Sequence, residues 1–214
     1  MADWPELRAQ MVDHQLRGRG IEDERVLAAM EAVPREVFLP EALRDRAYAD
    51  SALPIGEEQT ISQPWIVAAI CQALELDGSE LVLEVGTGSG YSAAVLARLA
   101  AHVVSIERRQ LLSQKAAAVL ESLGSRNVEI VVGDGSVGVP ERAPFDAIAV
   151  HATAPAPPSA LIDQLADGGR LVVPVSATDA DTLTVLRRAG DRIATTDLGP
   201  CRFVPLIGEE GFGV

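Results

Sequence analysis

The sequence is poor in aromatic residues and in positive charge, and each shortage excludes a kind of protein. Aromatic residues are 4% of the 214 residues, so the 48% of hydrophobic residues predict a core that is mainly aliphatic. Lys and Arg number 18 against 31 Asp and Glu, which gives a net charge of −13. Broad binding to nucleic acid or to anionic membranes needs basic surfaces, and we therefore expect neither partner.

Cysteine is also scarce, and the two that are present indicate neither a disulfide framework nor a metal site. Cys71 and Cys201 form no C-x-x-C or zinc-binding spacing, so we predict no metal. Residues 1–10 lack the basic and then apolar pattern of a signal peptide, and no apolar run approaches the ~20 residues that cross a membrane. We expect a cytoplasmic protein whose thiols stay reduced.

What is present is a regular alternation of short apolar runs and amphipathic segments. Helical spacing of apolar residues predicts helices over 5–18, 22–33 and 65–76. From residue 80 the predicted strands are 81–86, 102–107, 128–134, 145–152 and 170–175, and the predicted helices between them are 91–101, 111–123 and 159–165. Apolar strands that alternate with helices predict a parallel sheet covered on both faces.

The C-terminal part has a different pattern. Residues 181–198 alternate about an Ala-Gly-Asp turn, which predicts an antiparallel hairpin. We therefore predict a single Rossmann-like α/β domain over residues 1–214, doubly wound and mostly parallel. Its parts are an N-terminal helical cap with a substrate loop (1–78), a cofactor-binding core (79–176) and a C-terminal hairpin with a substrate strand (177–214).

A glycine-rich loop follows the first strand of the alternating region. In VLEVGTGSGY, residues 82–91, Gly86, Gly88 and Gly90 allow a tight turn and a close approach of the backbone to a ligand. Ligands of open α/β sheets bind at the carboxyl ends of the strands, where this loop lies. The dinucleotide fingerprint G-x-G-x-x-G would require glycine in place of Tyr91, so the loop argues against a dinucleotide.

Three acidic residues end successive strands and indicate the charge of the ligand. Glu107 is placed to accept hydrogen bonds from ribose hydroxyls, and Asp134 from an adenine amino group. We expect Glu84 to face the same crevice and to hold a cationic amine. Carboxylates would repel a phosphate, so the implied ligand is a nucleoside with a cationic, phosphate-free tail, such as S-adenosylmethionine.

These motifs resemble those of the class I S-adenosylmethionine-dependent methyltransferases and, more narrowly, the protein-L-isoaspartate (D-aspartate) O-methyltransferase family. The resemblance covers nearly the whole chain and is most specific in QTISQP (59–64) and RFVPL (202–206). It implies methyl transfer from S-adenosyl-L-methionine to the free carboxylate of L-isoaspartyl residues in damaged peptides and proteins, with D-aspartyl residues as a further class. The product would be S-adenosyl-L-homocysteine, and the methyl ester would initiate repair.

The resemblance also implies roles for individual residues. The cofactor would be bound by Glu84, Gly86, Thr87, Gly88, Glu107, Arg108, Asp134 and Gly135. The substrate site would be lined by Thr60, Ile61, Ser62, Arg202 and Val204. Residues 202–206 are predicted to offer an edge that pairs with substrate backbone. We expect the protein to be a monomer.

The run QTIS is uncharged and polar, although a buried helix follows it directly. One interpretation is a helix cap formed by Ser62 or Gln63, with Pro64 in the first helical position. The other is catalytic, because an acceptor carboxylate is already an anion at pH 7 and needs positioning rather than a base. We hypothesise that the hydroxyls of Thr60 and Ser62 hold this carboxylate, that Ile61 excludes water, and that Ser62 is the catalytic residue.

Three residues are open to two interpretations each. Arg202 pairs either with a substrate carboxylate or with an acid of the protein itself. His151, which follows the fourth strand, is either an ordinary loop histidine or an active-site group. Glu58 stands where the family usually has glycine; if that position needs a positive φ, Glu58 costs about 1 kcal/mol of strain, and it adds negative charge near an anionic substrate.

Two other functions stay open at this point. A methyltransferase of the same fold could act on another carboxylate or on a small metabolite, and Glu58 is the feature that favours this alternative. A nucleoside-binding module without catalytic activity is the second alternative. The intact QTIS run beside an intact glycine loop argues against it.

Overall fold

The computed structural model describes residues 3–213, and the first third of the chain is mainly helical. α1 (Trp4–Gln10) continues into a π-helical turn (Met11–Leu16) and a 3-10 turn (Arg17–Arg19). α2 (Glu24–Ala32) begins after Asp23, whose carboxylate accepts hydrogen bonds from two backbone amides of the first turn. Both predicted N-terminal helices are present, but the winding of the first changes along its length.

A β-hairpin that the sequence analysis missed precedes the main sheet. It pairs β1 (Leu53–Gly56) with β2 (Gln59–Ile61) in antiparallel orientation. The two residues of its loop, Glu57 and Glu58, have φ values of 51° and 57°. Such a loop favours glycine or asparagine, so two glutamates gave no sequence signal for it. Short 3-10 segments lead to this hairpin, at Arg35–Phe38 and Glu41–Arg46.

The remaining elements build a seven-stranded sheet with helices packed on it. Its strands are β3 (Leu81–Val85), β4 (His102–Glu107), β5 (Val128–Val132), β6 (Phe145–Val150), β7 (Leu165–Val175), β8 (Asp181–Ala189) and β9 (Arg192–Cys201). The helices are α3 (Pro64–Leu74), α4 (Tyr91–Leu96), α5 (Gln110–Ser122) and α6 (Ser159–Asp163), with 3-10 turns at Gly135–Val137 and Pro140–Arg142. The strand order is β5-β4-β3-β6-β7-β8-β9. The first five strands in this order are parallel to one another. β8 is antiparallel to β7, and β9 is antiparallel to β8. The predicted fold class is confirmed.

Alternating side chains along the strands fill a hydrophobic core on each face of the sheet. Val82 and Val103 contribute to the core that includes residues of α2 to α5, whereas Leu83 and Val104 contribute to the core that includes Leu161 of α6. Burial on both faces explains why the parallel strands are almost continuously apolar in sequence.

Several boundaries differ from the prediction. α4 ends at Leu96 rather than near residue 101, and β9 extends to Cys201. β7 begins at Leu165, because this residue pairs with Phe145 before a register shift. α3 begins at Pro64, but Gln63 makes no side-chain capping hydrogen bond, so the capping interpretation of the QTIS run is not supported.

Candidate functional site

A cavity of about 320 Å³ lies at the carboxyl ends of β3, β4 and β6. At β3 the sheet changes its winding direction, because β4 and β5 lie on one side of it and β6 and β7 on the other. Ligands of open sheets bind at such a switch point. The predicted site residues that line this cavity are Thr60, Ile61, Ser62, Gly86, Thr87, Gly88, Glu107, Arg108, Gly135 and Val204. We call it the first cavity.

Glu107 joins the glycine loop to the end of β4. Its buried carboxylate accepts a hydrogen bond from the backbone amide of Gly88 at 2.9 Å and another from that of Arg109 at 2.9 Å. Each oxygen keeps a further acceptor position for a ligand hydroxyl. Gly88 has a φ of 54°, which glycine adopts without strain. A Cβ on Gly135 would lie 2.6 Å from Val85 Cγ1, so only glycine fits there.

Glu84 is not on the cavity wall, contrary to our expectation that it faces the crevice. Its neighbours Leu83 and Val85 point to one face of the sheet, so Glu84 points to the opposite face and is completely buried. Ser105 donates a hydrogen bond of 2.5 Å to Oε2, whereas Oε1 has no hydrogen-bond partner in the described part of the chain. Burial raises the pKa of Glu84 to about 8. This position does not support direct binding of an amine by Glu84.

His151 lies between Glu84 and the cavity. Its backbone amide donates to Val85 O at 2.9 Å, while its Nε2 lies 2.7 Å from Ser92 Oγ and 3.5 Å from Glu84 Oε1. Burial lowers the pKa of His151 to about 4, so the imidazole is neutral at pH 7. Because the residue lines the cavity, its position favours the active-site interpretation over that of an ordinary loop histidine.

Asp134 fastens the C-terminal segment and does not line the cavity. Its Oδ1 accepts hydrogen bonds from the backbone amide and the hydroxyl of Ser136, and its Oδ2 accepts one from the amide of Glu209 at 2.8 Å. Both carboxylate oxygens are thus engaged within the chain. Oδ2 keeps one acceptor position, but Asp134 is not among the residues that line the cavity, so the expected contact with an adenine amino group stays a prediction.

A second cavity, of about 260 Å³, adjoins the first. Among its lining residues, the Arg19 guanidinium stacks on Trp65, 4.8 Å from the ring centroid. Arg202 also lines it, is exposed, and makes no ion pair with any residue between 3 and 213. This favours the interpretation in which Arg202 is available to a substrate carboxylate.

The two cavities meet at a few shared residues, and we call this place the junction. The residues that line both cavities are Thr60, Ser62, His151 and Val204. Three of them belong to the predicted substrate set, and the hydroxyls of Thr60 and Ser62 bring neutral hydrogen-bond donors to it. A ligand in the first cavity and another in the second would therefore approach each other beside these hydroxyls.

The segment predicted to pair with substrate backbone is already paired along one edge. β9 ends at Cys201, and residues 202–206 then run beside Thr153. The Thr153 amide donates to Val204 O at 2.8 Å, and the Leu206 amide donates to Thr153 O at 2.7 Å. A peptide could pair only with the opposite edge, so this expectation stays a prediction.

The tip of the β1–β2 hairpin reaches over the first cavity. Glu58 lines the cavity and has the positive φ that would favour glycine, so the strain of about 1 kcal/mol applies. Glu57 forms an ion pair with Arg109, Oε2 to Nη1 at 3.4 Å, which ties the tip to the start of α5. Ile55 Cδ1 lies 3.6 Å from the position that a Cβ of Gly88 would occupy. The hairpin therefore covers the glycine loop.

The first cavity fits a nucleoside with a positively charged tail. Glu107 presents carboxylate oxygens with unused acceptor positions, as a ribose diol requires. The glycine loop brings its backbone to the cavity without side chains between. Glu58 adds a second carboxylate to the wall. The two arginines of the wall, Arg108 and Arg109, are the groups that suit such a ligand least, although Arg109 is already paired with Glu57.

Three residues that line the two cavities were not predicted as site residues from the sequence. Arg19 is far along the chain from every other residue of the second cavity, and only the packing of the N-terminal helices brings it there. Ser92 did have a signal, because it lies two residues after the last glycine of the loop, in the first turn of the following helix. Trp65 directly follows the QTISQP motif, but the sequence predicted no role for it at a site.

No helix within residues 3–213 combines the length and the apolar composition that crossing a bilayer requires. Residues 7–211 match the family model described as Protein-L-isoaspartate(D-aspartate) O-methyltransferase (PCMT). The chain is 51% identical over 212 residues to Protein-L-isoaspartate O-methyltransferase 1 of Syntrophobacter fumaroxidans, with 99% of each chain covered.

Two solved structures are similar along most of this chain. One is a protein-L-isoaspartate O-methyltransferase, with a TM-score of 0.82 and 31% identity, matched over 94% of this chain and 66% of that one. The other is a Plasmodium falciparum protein assigned to the same activity, in complex with S-adenosyl-L-homocysteine. Its TM-score is 0.79 at 26% identity, and the match covers 94% of this chain and 98% of that one.

Proposed function

This chain belongs to the protein-L-isoaspartate(D-aspartate) O-methyltransferase family, and we propose that it methylates the free carboxylate of L-isoaspartyl residues in damaged peptides and proteins. D-Aspartyl residues are the second substrate class of this proposal. The methyl donor is S-adenosyl-L-methionine, and the product is S-adenosyl-L-homocysteine. Methylation would initiate repair of the damaged residue.

The observation that carries this proposal is the junction of the two cavities. A cavity suited to a nucleoside with a cationic tail opens, beside the hydroxyls of Thr60 and Ser62, into a second cavity that carries Arg202. Transfer between two bound molecules requires such an arrangement. A module that only held a nucleoside would not require the second cavity.

The chemistry needs orientation more than proton transfer. When bound, the cofactor supplies a methyl carbon whose bond to sulfur breaks as a carboxylate oxygen bonds to that carbon, and the electron pair of the broken bond stays on sulfur. An isoaspartyl carboxylate is ionised at pH 7, so no residue of the chain has to remove a proton. The chain has to align the acceptor oxygen and exclude water from it.

Ser62 and Thr60 suit this task because their hydroxyls are neutral donors. A lysine would hold the carboxylate more strongly but would also neutralise the electron density that attacks the methyl carbon. Ile61 between them is buried and keeps water from the junction. We assign Ser62 the catalytic contact with the acceptor carboxylate, and Arg202 a contact with the substrate beyond it.

We further propose that the protein acts as a monomer in the cytoplasm, without binding nucleic acid or membranes. The residues of a single chain line both cavities, which is compatible with activity without a second subunit. The net charge of −13 disfavours anionic polymers and anionic surfaces.

Three peptides of one sequence test the substrate assignment, with an L-isoaspartyl, a D-aspartyl or an L-aspartyl residue at the same place. Radiolabelled methyl transfer from S-adenosyl-L-methionine should be fastest for the first and undetectable for the third. Equal labelling of the L-aspartyl peptide, or transfer only to small carboxylic acids, would overturn the assignment and leave a methyltransferase of another specificity.

The role of Ser62 has its own test. Ser62→Ala should lower kcat/KM for the L-isoaspartyl peptide by about 10- to 100-fold, because a hydrogen bond to a charged group contributes about 1.5–3 kcal/mol. Ser122→Ala, on the exposed side of α5, is the control and should behave as wild type. Wild-type kcat/KM in Ser62→Ala would remove Ser62 from the site.

A further inference from the structure

The junction contains one residue whose position is not explained by the functions assigned so far. Thr60, Ser62 and Val204 were expected at the substrate site, whereas His151 lines both cavities without an assigned role. Its side chain is only 7% exposed. The imidazole is therefore part of the wall at the place where the two reacting molecules would meet.

The imidazole is held from two different elements. Ser92 of α4 lies 2.7 Å from Nε2, and Oε1 of Glu84, in β3, lies 3.5 Å from the same atom. The backbone of His151 is fixed to β3 as well, through its hydrogen bond to Val85 O. These contacts leave the ring little freedom to turn, which a purely space-filling residue would not require.

The absence of charge on the His151 imidazole also suits the junction. Burial lowers the pKa of His151 to about 4, so the ring carries no charge at pH 7. An imidazolium would pair with the acceptor carboxylate and would repel a positively charged sulfur. A neutral ring does neither, and its faces are apolar enough to exclude water.

We propose that the His151 ring contacts both reacting molecules at the junction and sets the direction in which the acceptor carboxylate approaches the methyl group. Ser92 and Glu84 are positioning residues that act through His151, because they touch Nε2. This assignment rests on the proposed function, since it supposes that a carboxylate enters the second cavity. It explains why two buried polar groups lie behind the junction and why one of them, Glu84, does not reach the cavity.

The first test observes the ring without any catalysis. The chain has three histidines, so the imidazole proton resonance that is missing from the spectrum of His151→Ala belongs to His151. Because burial lowers the pKa of His151 to about 4, this resonance should not titrate between pH 5.5 and 8. S-Adenosyl-L-homocysteine should shift this resonance. The L-isoaspartyl peptide, added next, should shift it again, and the L-aspartyl peptide should not. A resonance that responds to neither addition would overturn the proposal.

The second test separates positioning from binding. His151→Ala should lower kcat by about 10- to 100-fold, as expected for a misplaced reactant. Its dissociation constant for S-adenosyl-L-homocysteine, measured by calorimetry, should stay within about threefold of wild type. His151→Gln should recover part of kcat, because its amide can reach Ser92. Wild-type kcat in His151→Ala would contradict the inference.

A double-mutant cycle tests whether Ser92 acts through the ring. Ser92→Ala should lower kcat in the wild-type background but not in His151→Ala, since the interaction is then already lost. Ser113→Ala, which removes another buried helical serine, is the matched control and should leave kcat unchanged in both backgrounds. Additive losses would refute the positioning role.

The outcomes of these tests also separate the inference from the proposed function. If wild-type protein methylates the L-isoaspartyl peptide but the expected results for His151 are not obtained, the inference alone is wrong. If wild-type protein methylates none of the peptides, the proposed function fails as well.

Discussion

Glu84→Gln should stabilise the protein at alkaline pH and have little effect below pH 4. The Glu84 side chain is completely buried, and Ser105 donates a hydrogen bond to its Oε2. Burial therefore raises the pKa of Glu84 from 4.5 to about 8. Glutamine has the shape of the protonated acid and never ionises, so it removes the cost of a buried negative charge.

The magnitude follows from the difference in proton binding. Between pH 4.5 and about 8 the folded protein keeps a proton on Glu84 that the unfolded chain has lost, so the free energy of unfolding falls as pH rises through this window. The window spans about 3.5 pH units (8 minus 4.5), and at about 1.4 kcal/mol per unit the total is about 5 kcal/mol. His151 has the opposite sign, because burial lowers its pKa from 6.5 to about 4. Its stabilising effect increases as pH rises from 4 to 6.5, which offsets the loss from Glu84 there.

Urea unfolding of wild type and Glu84→Gln at intervals between pH 4 and 9.5 measures this difference. The wild-type free energy of unfolding should fall by about 2 kcal/mol between pH 6.5 and 8, where Glu84 contributes more than His151. The variant should lack this fall, and Glu121→Gln, at an exposed site of α5, should follow wild type. A constant difference between wild type and Glu84→Gln across the range would refute the reasoning.

Two further predictions concern Glu58, on the wall of the first cavity, and Asp134, which holds the C-terminal segment. Glu58→Gly should stabilise the fold by no more than about 0.6 kcal/mol, because relief of about 1 kcal/mol of strain is offset by about 0.4–1 kcal/mol of unfolded-chain entropy. It should also lower KM for the L-isoaspartyl peptide by removing an anion, whereas Glu121→Gln, at an exposed site of α5, should leave KM unchanged. Equal KM changes in both variants would contradict this. Asp134→Ala should speed hydrogen exchange of the Glu209 amide at least tenfold, since that amide loses its acceptor, and unchanged exchange would show that the C-terminal segment is held by other contacts.

The parts of this fold that the sequence predicts are those set by local pattern. Strands such as β3 and β4 are buried on both faces, so they are apolar throughout and end at glycine or acidic residues that mark the ligand edge. Glu107 and Gly88 were therefore predicted at the cavity, and the structure has them there. The antiparallel hairpin of β8 and β9 was predicted from its alternation and its turn.

The parts that escaped prediction depend on contacts between distant residues. The β1–β2 hairpin has glutamates where its turn would favour glycine, and it is held by contacts to Gly88 and Arg109 that no local pattern reveals. Glu84 lies in β3, as predicted. Side chains alternate along a strand, however, so the Glu84 side chain points to a buried face of the sheet and not into the cavity. β5 ends at Val132, two residues before Asp134, and the backbone amide of Glu209, 75 residues later in the chain, donates to the Asp134 carboxylate.

Calorimetric titration of the purified protein tests most directly whether the first cavity is a site for a nucleoside with a sulfonium tail. S-Adenosyl-L-methionine and S-adenosyl-L-homocysteine should each bind once per chain and compete with each other, and Glu107→Ala should weaken both by at least tenfold. NAD should give no heat, because its phosphates meet the carboxylates of the wall. Absence of heat with both adenosyl compounds, or their displacement by NAD, would contradict this assignment.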